Sequence, residues 1–307
     1  GLKLVKRYLR LKKLPLSRQD ILIRIMILQM KNLISTILKI ISSMHKNMKK
    51  ALMNAQEYGI RLVIASGRPA KGIFQYGDQL DMKYHNGLFV CYNGARVVDC
   101  QTGEVYVNVT IDKDTTKQVL NHMKEFDVRP IITHGSHMVV EDVYNGMVKD
   151  GDREFNVIEY ESRMNGYKLM EVEDLESFVD GPVNKILTAG DSDYLQAHYK
   201  EMAAPFAGKL SMMFTANFYY EFTALGVDKG KALAMAMEKL GIKPEECIAF
   251  GDAENDISML KFAGIGVAMG NAQQPVKDIA DEITDDNEHD GIAKSLYKHI
   301  PQLHTFD

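Results

Sequence analysis

The chain has 307 residues, 46% hydrophobic and 25% charged, with a formal net charge of −4. This is the composition of an ordinary soluble protein, with room for a large core or for two domains of roughly 100–200 residues each. Three cysteines, Cys91, Cys100 and Cys247, are too few and too scattered for a disulfide framework or a zinc site. They point to a reducing cytoplasm, and with no run of eighteen or more uncharged apolar residues no transmembrane helix is expected.

Charge is unevenly placed. Residues 1–50 carry thirteen Lys and Arg against one acid, Asp20, a sum of +12 that leaves −16 for the remainder. Residues 1–43 form an atypical basic segment rich in Leu, Ile and Met, and no carboxylate occurs between Asp20 and Glu57. Three readings stay open. It is a basic amphipathic or targeting segment, a nucleic-acid-binding arm (a poor match with so much Ile and Leu), or a stretch foreign to the fold, such as one translated out of frame.

From Met44 the pattern becomes regular. Met44, Met48, Leu52 and Ala55 recur at helical spacing, and Gly59 stands where a C-terminal cap belongs. The apolar run 62–65 reads as a buried strand that ends in Ser66-Gly67-Arg68-Pro69. Residues 98–182 change character, with alternating segments at 104–109 and 137–140 and many turn residues. They read as an inserted α+β unit, bounded by turns at Asn93-Gly94-Ala95 and Asp180-Gly181-Pro182. Lys229–Leu240 then reads as a helix closed by Gly241, and 247–250 as a buried strand entering Gly251-Asp252-Ala253-Glu254-Asn255-Asp256. Helical 257–263 and a strand at 266–269 follow, the latter closing with Gly270-Asn271. Strands alternating with helices predict an α/β fold with a doubly wound parallel sheet built from 44–97 and 183–307, with 98–182 inserted.

Three places carry chemistry. Asp252 and Asp256 sit four apart across a strand-to-helix turn, at the carboxyl end of a strand where α/β sheets bind ligands, and can aim two carboxylates at one hard cation. An Asp-rich turn that merely caps a helix has the same sequence. Ser66, with Gly67 and Arg68, offers a hydroxyl and backbone N–H groups to a phosphate, although an N-cap followed by a turn reads identically. Lys229 opens the helix that feeds the Asp252 strand and can neutralise an anion, where most lysines are simply solvated.

Together these places are far more specific. Ser-Gly-Arg-Pro, then Gly-Val-Asp-Lys-Gly, then Gly-Asp-x-x-Asn-Asp resembles motifs II, III and IV of the haloacid dehalogenase (HAD) superfamily. The tail at 264–272, with Val276-Lys277 and Asn287-x-x-Asp290-Gly291, is similar to its Cof-type branch, subclass IIB. The resemblance covers residues 44–307. It implies a HAD-like Rossmannoid core under an α+β cap, and Mg²⁺-dependent hydrolysis of phosphomonoesters of small metabolites, sugar phosphates among them. In such enzymes an aspartate attacks phosphorus, and a second, two residues on, protonates the leaving oxygen.

Carried over residue by residue, the resemblance gives Lys229, Ser66 and Asp256 catalytic roles. Ser66, Gly67, Arg68, Lys229 and Asn255 would bind phosphate or substrate, Asp252 would ligate Mg²⁺, and Asp256 would support the metal shell. It also implies a cytoplasmic enzyme whose partner is a small phosphorylated metabolite rather than nucleic acid or membrane.

One part is missing. The motif Asp-x-Asp-Gly-Thr should precede Ser66 by some thirty-odd residues, yet residues 25–35 hold no acid, and the amides of Gln29 and Asn32 lack the negative charge of a nucleophile. Two classes follow: a phosphatase whose N-terminal stretch is faulty, or a non-catalytic HAD pseudoenzyme that binds phosphorylated ligands. Either way the chain as it stands is expected not to turn over. A segment such as 21–28 must then fill the centre of the sheet. Lys185, Tyr219 and Glu221 are expected near the cap–core junction, and Ser66, Lys229 and Asp252 around one phosphate-sized hollow.

Overall fold

The computed structural model describes residues 25–29 and 46–306. The first block is β1 (Ile25–Gln29), α1 (Lys46–Tyr58), β2 (Arg61–Ala65), α2 (Ala70–Gln79), β3 (Leu88–Cys91), β4 (Arg96–Asp99) and β5 (Val105–Asn108). A middle block begins with α3 (Lys113–Met123), β6 (Arg129–His134), β7 (His137–Val140), β8 (Met147–Asp150), β9 (Arg153–Asn156) and α4 (Val157–Asn165). It continues with β10 (Lys168–Glu171), α5 (Leu175–Phe178), β11 (Lys185–Ala189), α6 (Ser192–Ala203), β12 (Leu210–Ala216) and β13 (Tyr219–Ala224). The last block is α7 (Lys229–Leu240), β14 (Cys247–Gly251), α8 (Ile257–Phe262), β15 (Ile265–Ala268), α9 (Gln274–Lys277), β16 (Glu282–Ile283) and α10 (Gly291–His299).

Eight strands form one sheet in the order β16-β15-β14-β1-β2-β3-β4-β5. It is parallel from β16 to β3 and antiparallel at the β4–β5 edge. The inner strands are apolar along most of their length, as strands covered by helices must be: Leu62, Val63 and Ile64 of β2 and Ile248 and Ala249 of β14 are fully buried. Helix α7 begins at Asp228, whose carboxylate accepts the N–H of Lys231 at 2.8 Å, and ends at Gly241 as its sequence predicts.

The centre of the sheet is held by β1, out of the basic stretch. Its register sets Ile25 beside Cys247 of β14 and beside Arg61 of β2. Met26 and Ile27 are fully buried. The described strand overlaps the expected 21–28 filler at 25–28, and residues 21–24 lie outside the described residues. Burial of this apolar run explains why a segment with no acidic motif still pairs there.

The second sheet runs β10-β7-β6-β11-β13-β12, with β8 and β9 as a separate hairpin, and has its own apolar cluster around Val119, Ile186, Leu195 and Phe222. Its strand content differs from the inserted 98–182 at both ends. Strands β4 and β5 complete the first sheet, whereas β11, β12 and β13, expected in the core, build the second. The cause is local: Tyr219, Tyr220 and Phe222 of β13 are all buried, so the strand reads like a core strand. Among the described residues no helix is long and apolar enough to cross a membrane.

Candidate active site

Ser66 follows β2 directly and is buried. Its N–H donates to the Val90 carbonyl at 2.8 Å, continuing the β2–β3 ladder by one residue. Its Oγ accepts the Arg68 N–H at 3.2 Å, a turn that presents the next backbone groups at the strand end. The Ser66 carbonyl accepts the Asn93 N–H at 3.1 Å.

Asn93 is the residue that sequence reasoning passed over, because Asn93-Gly94 read only as a turn. Tyr92, Asn93 and Gly94 stand consecutively at φ 52°, 56° and 106°. A tyrosine held left-handed costs on the order of 1 kcal/mol. Its hydroxyl shares a hydrogen bond with Thr133 Oγ1 at 3.3 Å, which ties this turn to the second sheet. The turn swings the Asn93 side chain across to the opposite strand end, where Asn255 Nδ2 donates to Asn93 Oδ1 at 3.0 Å. A Cβ on Gly94 would come within 2.5 Å of the Asp228 carbonyl oxygen, so only glycine lets this turn close on the start of α7.

Lys229, the first residue of α7, is buried and donates from Nζ to Asp256 Oδ1 at 2.7 Å. Asp256 Oδ2 accepts the N–H groups of Asp252 and Ala253 at 3.1 and 3.0 Å. Both Asp256 oxygens are thus engaged. They make Asp256 the anchor of Lys229. Gly230 fixes the same helix: its N–H donates to Ser258 Oγ at 3.1 Å, and any Cβ would collide with the Ser258 carbonyl. Asp252 is buried, and its Oδ2 accepts from Asn271 Nδ2 at 3.3 Å.

The expected residues therefore converge at the carboxyl ends of β2, β3, β14 and the start of α7. Ser66 bonds to Asn93, Asn93 to Asn255, Gly94 packs on Asp228 and Lys229, and Lys229 bonds to Asp256 beneath Asp252. Above them lies a cavity of about 220 Å³, walled on the core side by Ser66, Gly67, Arg68, Asn93 and Asn255. Lys229, Asp252 and Asp256 do not line it, so of the three residues expected around one hollow only Ser66 borders this cavity.

Residues of the second sheet and α4 form the roof. Lys185 and Tyr219, two of the three residues expected at the junction, are there with the third, Glu221. Lys185 Nζ donates to Glu221 Oε1 at 2.8 Å, as does Thr215 Oγ1 at 3.0 Å. Tyr219 Oη donates to Glu161 Oε2 at 3.0 Å, and Asn165 Nδ2 donates to Glu161 Oε1 at 2.7 Å. Burial raises the Glu161 carboxyl above its ordinary range, with Lys185 acting against it. Burial opposes the Lys185 ammonium, yet the Glu221 and Glu161 carboxylates raise its pKa. Arg68 closes the junction by donating to the Met164 carbonyl at 3.0 Å. Glu161 left no local signal, since nothing near it in sequence marks a helical glutamate as buried.

The donor set does not fit the Mg²⁺ site of the resembling enzymes. Among the described residues no three His, Cys, Asp or Glu side chains gather to hold a metal ion. With no acid between Asp20 and Glu57, the central strand brings no carboxylate to Asp252. Cys91, at the end of β3, does not replace the missing nucleophile, because burial pushes its thiol up to about 12.

A model of the haloacid dehalogenase-like hydrolase family matches residues 35–296. The pyridoxal phosphate phosphatase YbhA of Escherichia coli is 28% identical over 251 residues, which cover 82% of this chain and 90% of that protein. The crystal structure of a haloacid dehalogenase-like hydrolase from Bacteroides thetaiotaomicron superposes with a TM-score of 0.79 at 29% identity, over 90% of this chain and 98% of that one. A subclass IIB sugar phosphatase shares the fold with a TM-score of 0.68 at 24% identity, over 91% and 99% of the two chains.

Proposed function

Because this chain belongs to the haloacid dehalogenase-like hydrolase family, whose phosphatase members hydrolyse phosphoric monoesters, we propose that its cleft between core and cap takes up small phosphorylated metabolites. We further propose that the chain as it stands holds them without hydrolysis. The observation that carries this reading is the convergence of Ser66, Asn93, Asn255 and the Lys229–Asp256 pair at one edge of the parallel sheet, under a roofed cavity. Strand ends of this kind are where open α/β sheets bind ligands.

In this reading the Ser66 hydroxyl and the Gly67 N–H seat the phosphoryl group. Arg68 adds charge at the rim, Asn255 orients an ester oxygen, and Lys229, held by Asp256, supplies positive potential from behind. The organic part reaches toward the cap. Mg²⁺ serves phosphatases of this family generally; this chain contributes Asp252 toward it and lacks the acids that would complete the set. We assign the protein to the cytoplasm, in keeping with its three free cysteines.

Hydrolysis in the family needs a carboxylate nucleophile after the central strand. Here β1 ends at Gln29, level with Ala65 beside Ser66. The full chain, incubated with p-nitrophenyl phosphate and Mg²⁺, is therefore expected to release no nitrophenol above a buffer control. Release that Asp252→Ala abolishes would overturn this reading.

A further inference from the structure

Tyr160 of α4 and Phe218, in the turn between β12 and β13, both border the cavity. Their ring centroids lie 6.1 Å apart with the planes at 83°. Phe155 of β9 completes an edge-to-face trio, 5.5 Å from Tyr160 and 5.0 Å from Phe218. Arg153, which does not line the cavity, lies over Phe155 at 4.3 Å and over Tyr160 at 5.7 Å. A guanidinium stacked on perpendicular rings helps to fix their orientation. Met164, Leu187 and Ala216 add to the apolar lining.

The polar groups of the same roof are occupied with one another. Arg68 and Lys185 balance Glu161 and Glu221 in charge. Glu161 has both oxygens covered, by Tyr219 and by Asn165. Glu221 Oε1 accepts from Lys185 and Thr215, and its Oε2 is walled in by protein. The side-chain oxygen of Asn165 is packed against Gly72 of α2 rather than open to the cavity. A sugar ring entering here would bring hydroxyl donors that find these acceptors taken, and burying an unpaired hydroxyl is costly. A flat apolar ring brings no such donors. Against two perpendicular rings it can also stack on one face and meet one edge, the arrangements that aromatic rings prefer. A cavity of roughly 150 Å³ suffices for benzene, and this one holds about 220 Å³.

Resting on the reading of this cleft as a phosphomonoester site, we propose that the ester it takes carries an aromatic ring, seated against Tyr160 and Phe218 while the phosphate lies on the Ser66 turn. The ligand class is the aryl and arylmethyl phosphates, carbocyclic or heterocyclic, in preference to the phosphates of sugars. Tyr160 and Phe218 set that preference.

The test is calorimetric titration of the full chain with three esters of one skeleton, a six-membered ring one methylene from the ester oxygen: benzyl phosphate, cyclohexylmethyl phosphate and glucose 6-phosphate. Inorganic phosphate is titrated alongside. Benzyl phosphate is expected to bind at least about tenfold more tightly than glucose 6-phosphate, whose hydroxyls go unpaired. It should bind at least about threefold more tightly than cyclohexylmethyl phosphate, a gain typical of one well-placed aromatic pair. Y160L should bring this second ratio close to parity, whereas Y160F, which keeps the ring, should preserve it. Should Y160L fold poorly, F218L removes the other ring and should lower the same ratio. Equal binding of the benzyl and cyclohexylmethyl esters, or tighter binding of glucose 6-phosphate, with phosphate still bound, overturns the proposal and leaves the phosphate site standing. A preference that survives both Y160L and F218L also overturns it. Absence of binding by phosphate and by every ester overturns the phosphate site, and this proposal with it.

Discussion

The quadruple substitution Q29D, K31D, N32G and L33T, which turns residues 29–33 into Asp-Met-Asp-Gly-Thr, is expected to convert the chain into a phosphatase. The argument is one of register. Gln29 pairs with Ala65, the residue before Ser66, and Leu28 pairs with Phe250, two residues before Asp252. A carboxylate at position 29 thus stands at the end of the central strand, between the Ser66 turn and the Asp252 turn. The carboxylate two residues on is the family's proton donor to the leaving oxygen, a role worth 10²–10⁴-fold in general. Turnover of p-nitrophenyl phosphate should rise at least about a hundredfold over the buffer control, the lower end of that contribution. It should require Mg²⁺, because a carboxylate at position 29 then joins Asp252 at the strand ends, and it should vanish in a background of Asp252→Asn. A folded variant with no turnover would assign the chain to the pseudoenzyme class, whose site has diverged beyond the loss of one motif.

Lys229→Met should be the most damaging single change. It leaves the Asp256 carboxylate in a wholly buried site with its N–H partners but no counter-ion. Breaking one side of a buried pair costs about 3–5 kcal/mol, which denaturant unfolding would read as a clear fall in midpoint. The double variant K229M/D256N removes the stranded charge, and the amide oxygen still accepts the N–H groups of Asp252 and Ala253. It should recover much of that stability. Phosphate affinity should not recover, because the positive potential behind the Ser66 turn is gone. Recovery of both would make Lys229 a structural lysine with no part in binding; recovery of neither would point to a packing defect at the start of α7.

Much of the core site was legible because its signals are local. Strands β2 and β14 are short apolar runs that end in Ser-Gly-Arg and Gly-Asp, and α7 carries its own cap and its own closing glycine. Those features hold whatever surrounds them. Asn93 was not legible: its role comes from three consecutive left-handed residues that turn it toward Asn255, 162 positions away. The cap was misread at its edges for a related reason. Strand β13 is buried on both faces within the second sheet, so period and hydrophobicity give it the look of a core strand. The β4–β5 hairpin has turns and a half-exposed face, and so the look of a cap element. Glu161 and its bond to Tyr219 arise only when α4 packs under β13. The central strand was a different case. An apolar run inside a basic stretch offered a filler for the sheet, and its residues 25–28 pair there.

Phosphorus NMR of a phosphomonoester mixed with the full chain reads occupancy and chemistry in one sample. The ester resonance should broaden and shift in proportion to added protein, an effect that K229M/D256N removes, while no inorganic phosphate resonance grows in over days. An ester signal that the protein leaves untouched, or a phosphate signal that grows and is lost in Asp252→Ala, would contradict the account.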